Sequence, residues 1–387
     1  MSVRLVTTPA TDPQADLSLP GWVYRDAEFF EAEKAAVLRP SWQVVCHLSD
    51  VARPGDWHAF EFIGESVIVV RGDDGVVRGF TNVCRHRGSR LVDGSSGCAK
   101  KLVCPYHAWT YELDGRLSGV PAKSDYPDLR LDSHGLQPVE SEVWQGFVFI
   151  RLENQGGASV AEMMAPHLAE IAPYRFPDLQ PLGRVTLRPR AVNWKNIGDN
   201  YSDHLHVPIA HPGLKRLFGQ DYLIEAGPHV DRLWGDIGSR ETSWSERAYK
   251  KHLPRVDGLD DTAHRRWLYF KLWPNFAFEL HPDQVGFMQF LPLTATTSVI
   301  RDIGYALPDD RREMQAARYL NGRINRLVNA EDTALINRVQ AGMASGSYVQ
   351  GPLGRSEVCL RSFAAKLRAA VPEARHTAPP AAGWSAR

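Results

Sequence analysis

Two short words, Cys84-Arg85-His86 and Cys104-Pro105-Tyr106-His107, constrain this 387-residue chain more than any other stretch of it. Each offers one thiolate and one imidazole, and the 17 residues between them (87 to 103) are enough for a hairpin to bring the two loops face to face. The pattern Cys-x-His-x17-Cys-x2-His could hold a tetrahedral zinc. Zinc-finger spacing, however, groups both thiolates in one word and both imidazoles in the other. Mixed words suit a two-iron cluster better, with the thiolates on one iron and the imidazoles on the other, so that each loop serves each iron. Neutral imidazole in place of thiolate removes negative charge and raises the potential relative to a four-thiolate cluster. Gly88 and Pro105 permit the sharp turns such loops need, and Tyr106, Trp109 and Tyr111 can wall a cluster from solvent.

The other three cysteines, Cys46, Cys98 and Cys359, have no regular spacing, which argues against a disulfide framework and for a reducing compartment. They are expected to be small buried apolar residues. Lys plus Arg and Asp plus Glu both number 45, so no global field draws a nucleic acid or an anionic membrane. Residues 1 to 20 lack a signal-peptide pattern and no run of eighteen apolar residues occurs, which leads to the expectation of a soluble cytoplasmic protein.

Along the chain, a weakly ordered lead-in (1 to 20) precedes a helix over 26–38 that Pro40 stops. Short strands separated by Gly and Asp turns then occupy 42–153, an all-β domain with hairpin turns at Asp73-Asp74-Gly75 and Asp114-Gly115. A Gly- and Asn-rich linker leads to a second domain over 160–372. It has a helical stretch near 160–171, a strand over 183–190, consecutive strands from 267 to 305, and helices over 309–338 and 357–370. Strands followed by a long helix fit an α+β layer. Residues 1–41 are expected to pack on the second domain, and 373–387 to form a flexible tail.

The second stretch rich in chemistry, residues 193 to 212, holds three histidines and two aspartates within positions 199 to 211. On a regular helix His204 and His211 share a face, while His206 and His211 stand about 140° apart. Pro208 changes that geometry, because it is expected to break the helix near Val207 and free the following residues to fold back over its end.

Through Cys84-Arg85-His86-Arg87-Gly88 and Cys104-Pro105-Tyr106-His107-Ala108-Trp109-Thr110-Tyr111, the chain resembles the α subunit of Rieske non-heme iron oxygenases, the aromatic ring-hydroxylating dioxygenase family. Ala108 departs from the usual Gly, with only a small local adjustment expected, and neither word carries the extra Cys of respiratory Rieske proteins. The resemblance covers about residues 25 to 370. It implies an N-terminal all-β Rieske [2Fe-2S] domain, with Cys84, His86, Cys104 and His107 as ligands, followed by a helix-grip (START-like) catalytic domain. The family motif Asp/Glu-x-x-His-x4-His falls on Asp203, His206 and His211, so the resemblance makes His206 and His211 the ligands of a mononuclear Fe(II) and His204 a neighbour. Asp332 would complete a 2-His-1-carboxylate triad, with Glu331 the nearest competitor. Asp203 would bridge His206 to the cluster ligand His107 of the adjacent subunit, and Asn200 would line the same site.

The resemblance further implies an oxidoreductase that incorporates oxygen from O2, a terminal oxygenase in a homotrimer. Electrons from NAD(P)H would come through a separate reductase, with or without a ferredoxin, since no G-x-G-x-x-G motif occurs in the chain. Ring hydroxylation or oxidative demethylation of an aromatic compound is the first substrate expectation, toward which Asp203 in place of Glu leans weakly, and a quaternary amine held by aromatic walls is the second. Trp273, Phe276, Phe278, Phe287, Phe290, Leu214, Phe218 and Tyr222 are either pocket or plain core. A Rieske ferredoxin would end soon after residue 150, and a carrier of apolar ligands would not need the four Cys and His ligands.

Overall fold

The computed structural model of the chain describes residues 14–218, 222–238 and 244–386, so the first 13 residues of the expected lead-in lie outside the described residues. Two compact units emerge, one comprising Arg39–Ala165 with Phe176–Leu179, the other the described parts of Met1–Leu38, Pro166–Arg175 and Gln180–Arg387.

The first unit is mostly β, with the short helix Val160–Met164 near its end. Its seven-stranded antiparallel sheet runs Gln43–His47, Phe147–Arg151, Pro138–Trp144, Val77–Thr81, Glu65–Arg71, Asp56–Phe62, Ser96–Cys98, and a three-stranded sheet joins Leu102–Val103, Thr110–Tyr111 and Leu117–Gly119. The central run Val67-Ile68-Val69-Val70 is buried on both faces, which explains its unbroken β-branched sequence. Trp57, Ile68, Val70 and Phe80 from the large sheet pack with Leu102, Trp109, Tyr111 and Leu117 around Cys84 and Cys104. Asp73-Asp74-Gly75 and Asp114-Gly115 do turn the chain, with Gly75 at φ 79° and Gly115 at φ 89°. Cys46 and Cys359 are buried as expected, but Cys98 is exposed, because it ends a three-residue strand at the sheet edge whose residues are all exposed. Pro138–Trp144 escapes a sequence reading because only Val139 and Trp144 are buried and the apolar Val143 is exposed, so no apolar and polar alternation marks it.

The second unit carries an eight-stranded antiparallel sheet, in which Val230–Asp236, Arg266–Leu272, Phe276–His281, Gln284–Pro292 and Ser298–Ala306 pair in succession. The long helix Arg312–Met343 lies over it: Ala317, Leu320 and Ile324 pack with Leu217, Leu233, Trp267 and Tyr269, and Ile336 packs with Val192, Ile197, Phe290 and Ile300. This is the α+β arrangement anticipated for a catalytic domain.

Asp26 caps the first helix, Ala27–Glu33, by accepting from the N–H of Phe29, and Lys34–Leu38 continues it as a wider π turn. Glu33 and Lys195, both fully buried, meet at 2.6 Å and tie this helix to Trp194–Ser202. The tail departs from expectation. The Trp22 indole donates to the His376 carbonyl at 2.8 Å, and Glu28 accepts from the Gly383 and Ser385 N–H groups, so the stretch 376–385 is held against the N-terminal segment. No described helix is long and apolar enough to cross a membrane.

Candidate metal centres

The two Cys/His words fold into loops of one design. The carbonyl of Cys84 accepts from the Gly88 N–H (3.0 Å) and that of Cys104 from the Ala108 N–H (2.9 Å); the residue closing each turn is left-handed, Gly88 at φ 74° and Ala108 at φ 55°. Ala108 therefore occupies a backbone region that costs a residue with a Cβ, a more definite strain than the small adjustment expected. Cys84 and Cys104 are 2% exposed, whereas His86 and His107 are half-buried, with ring centroids 4.7 Å apart. Trp109 stacks on His86 at 4.8 Å, and Tyr111 places its hydroxyl 3.3 Å from the Cys84 sulfur while accepting from the Arg85 N–H. These two rings wall the site, and Tyr106 sets its ring 3.8 Å from that of His107 while staying 55% exposed.

Burial pushes the Cys84 thiol up. At Cys104 burial acts in the same direction but is outweighed by the N–H groups of Tyr106 and His107, which lower it. A sharper sign of a missing partner is that Nδ1 of His86 and Nδ1 of His107 are both buried without a hydrogen bond. Two unpaired imidazole nitrogens above two buried free thiols fit a [2Fe-2S] cluster that takes two sulfurs and two nitrogens.

In the second unit the helix Trp194–Ser202 ends before the histidines, and Asp203 is extended (φ −84°, ψ 134°). Pro208 does not break a helix here. It sits in the first turn of a short new one, Val207–Ala210, where a missing N–H costs nothing, so His206 enters this turn and His211 leaves it. The effect anticipated for Pro208 is nonetheless reached, since the two imidazoles converge with Nε2 atoms 3.2 Å apart. Asp332 Oδ1, from the long helix, lies 2.9 Å from His211 Nε2 and 3.7 Å from His206 Nε2. His206, His211 and Asp332 are the group of potential ligands found among the described residues, while His204 stands outside it.

The surrounding contacts set the tautomers. His206 Nδ1 lies 3.0 Å from Asp203 Oδ2 and His211 Nδ1 lies 2.8 Å from Glu331 Oε2, so each ring gives its Nδ1–H to a carboxylate and aims its other nitrogen inward. Asn200 donates to Asp332 Oδ1 at 2.7 Å. Burial opposes charge on His206, but Asp203 and Asp332 outweigh it and raise the imidazole to about 9. Burial likewise opposes ionisation of Asp332, and the hydrogen bonds from His206 and His211 hold it down to about 2. A site that attracts positive charge this strongly through two nitrogens and one oxygen fits a divalent iron with open positions. The partnership of Glu331 with His211 is not readable from the sequence, where Glu331 registers only as a rival to its neighbour.

A cavity of about 870 Å³ opens beside this triad. Of the apolar residues expected in either pocket or core, Leu214, Tyr222 and Phe287 line it; Trp273, Phe276, Phe278, Phe290 and Phe218 do not. It also takes in Tyr201, Tyr269, Glu279, Arg188 and Arg190, which sequence reasoning missed. Glu279 left one signal, an acid in the otherwise apolar strand Phe276-Ala277-Phe278-Glu279-Leu280.

Comparison with known proteins agrees with both domains. Residues 41–135 match the Rieske [2Fe-2S] domain and residues 176–373 the catalytic domain of the ring hydroxylating alpha subunit. The carnitine monooxygenase oxygenase subunit of Escherichia coli strain K12 is 32% identical over 349 residues, 87% of each chain. The glycine betaine monooxygenase oxygenase subunit of Chromohalobacter salexigens is 37% identical over 244 residues, 62% of this chain and 54% of that one. Among solved structures, a quaternary ammonium Rieske monooxygenase that carries out carnitine oxidation with inter-subunit electron transfer superposes with a TM-score of 0.77 at 26% identity, over 92% of this chain and 94% of that one. These likenesses favour the second of the two substrate expectations over the aromatic one.

Proposed function

The chain belongs to the Rieske non-heme iron oxygenases, and from that membership we propose that it is the oxygenase subunit of a quaternary-ammonium monooxygenase. The observation that carries the reading is the identity to carnitine monooxygenase oxygenase subunits across 87% of the chain. The pairing of an acid with tyrosines in the cavity beside the triad supports it. Oxygenase subunits of this family work with reductase or ferredoxin partners. When bound, the cluster supplies single electrons and the iron activates O2.

In this reading Cys84, His86, Cys104 and His107 hold the cluster, and His206, His211 and Asp332 hold the iron. Asp203 and Glu331 fix the two imidazoles, and Asn200 steadies Asp332. One atom of O2 enters a C–H bond adjacent to the quaternary nitrogen and the other leaves as water, with two electrons and two protons drawn from NAD(P)H and solvent. The resulting hydroxyalkyl ammonium gives up its hydroxyl proton to solvent as its C–N bond breaks, leaving a tertiary amine and an aldehyde. Oδ2 of Asp203 holds His206 and Oδ1 accepts from the Leu205 N–H at 2.8 Å, while the side chain stays 21% exposed, which supports a role as the link to His107 of an adjacent subunit in a closed homotrimer.

The test is a substrate screen with iron-loaded protein and a reductase, reading O2 uptake and aldehyde together. Glycine betaine, carnitine or choline should give aldehyde in step with O2. Coupled product from aromatic acids or methoxylated aromatics, with none from the quaternary amines, would overturn the reading.

A further inference from the structure

The sheet builds a negative site into the cavity wall. On the strand Phe276–His281, alternation sends Phe276, Phe278 and Leu280 to one side and Ala277, Glu279 and His281 to the other. Glu279 stands opposite Tyr269 on one neighbouring strand and Gly286 on the next, and Gly286 stands opposite Gly304. All four line the cavity. Gly286 keeps side-chain bulk off this carboxylate: a Cβ there would lie 4.0 Å from Glu279 Oε2 and 3.2 Å from the Ile303 carbonyl oxygen.

Oε1 of Glu279 accepts from the Tyr201 hydroxyl at 3.1 Å, the one hydrogen bond to this carboxylate among the described residues. None of the described lysines or arginines reaches it as an ion pair: Arg188, the nearest in charge terms, is engaged with Asp302 at 2.8 Å, and Arg190 donates to Asn329 at 2.7 Å. His281, on the same face, is pushed down to about 3 by burial and carries no charge. The rings of Tyr201, Tyr269 and Tyr222 form a chain at centroid distances of 6.1 and 6.2 Å beside it. Arg326 also lines the cavity and forms no ion pair with Glu279, so an acid without an ion-pair partner among the described residues, beside three tyrosine rings in a cavity that opens on the metal triad, can receive a positive group of a substrate.

We propose that Glu279, with Tyr201, Tyr222 and Tyr269, is the specificity site for the ammonium group of the substrate, so that this cavity selects a cation over a neutral group of the same shape. This rests on the quaternary-ammonium reading. Burial raises the Glu279 carboxyl to about 7, which an arriving cation would reverse by favouring the carboxylate.

Two pairs of probes isolate charge from shape: glycine betaine against 3,3-dimethylbutanoate, and choline against 3,3-dimethylbutan-1-ol. Each neutral-headed member replaces the quaternary nitrogen by carbon. Anaerobic calorimetric titration of the iron-loaded holoenzyme should show the cationic member of at least one pair binding more tightly by about tenfold or more. Glu279→Gln should weaken cation binding about 10- to 100-fold, bring the ratio close to one, and leave the Rieske absorbance and iron content unchanged. Glu279→Asp, which keeps the charge, should recover most of the preference. If the wild type discriminates and Glu279→Gln discriminates equally, the assignment of Glu279 is overturned while the quaternary-ammonium reading stands. Glu279→Asp behaving like Glu279→Gln would also count against it. A wild type that binds the carbon isosteres as well as the cations, in both pairs, overturns both.

Discussion

Ala108 holds φ 55° at the turn-closing position of one cluster loop, where the other loop has Gly88 at φ 74°. A left-handed alanine costs about 1–2 kcal/mol, and the greater freedom that glycine has in the unfolded chain offsets about 0.4–1 kcal/mol of that. Ala108→Gly should therefore stabilise the cluster-binding unit by about 0.5–1 kcal/mol. Urea unfolding followed by loss of the visible cluster absorbance reads the difference, and an unchanged or lower midpoint would mean that the loop does not strain the alanine. The sequence exposes this position because Cys, His and Gly spacing within one short loop is local chemistry. Tyr106 shows the limit of such reading: an aromatic beside a ligand is a natural shield, and its ring does lie against His107, yet more than half of it stays exposed, which only the fold says. Glu279 is the opposite case, since its role depends on Tyr201, Gly286 and the strand register, which lie far apart in the chain.

The iron site is made by three elements that sequence alone does not bring together: the end of Trp194–Ser202, the short turn Val207–Ala210, and the long helix Arg312–Met343. The helices and most strands are legible from periodicity and turn residues. Asp332, more than a hundred positions from His206, is reached only through resemblance to a family. Glu331 is harder still. Adjacent residues on a helix point about 100° apart, so the sequence makes the two carboxylates rivals for one place, whereas the structure uses both: Asp332 toward the two Nε2 atoms and Glu331 behind His211. Replacing such an outer carboxylate commonly costs 10- to 100-fold in metal affinity. Glu331→Gln should then lose iron from the mononuclear site about 10- to 100-fold more readily on chelator challenge, with the [2Fe-2S] absorbance intact. Retention equal to wild type would show that Glu331 does not orient His211. Full activity in Asp332→Asn would move the third ligand elsewhere.

At the scale of the whole molecule the two centres belong to different compact units, and the proposed route between them runs from His107 of one subunit through Asp203 to His206 of the next. A head-to-tail ring of three chains would supply three such junctions. The idea can be tested without knowing any distance between the units, by dividing the two functions between chains. A variant lacking the cluster, Cys104→Ala, and a variant lacking the iron, Asp332→Ala, should each be inactive alone. Co-expressed at equal levels with different tags, they give mixed rings in which an iron turns over only when its own chain keeps Asp332 and its neighbour keeps Cys104. Each condition holds for about half the chains, so activity per chain should recover to about a quarter of wild type. Transfer confined to one chain gives zero in every mixture, because no single chain then owns both centres. Mixed assemblies purified through both tags and still inactive would therefore exclude the inter-subunit route, while leaving the ligand assignments of each centre to the single variants.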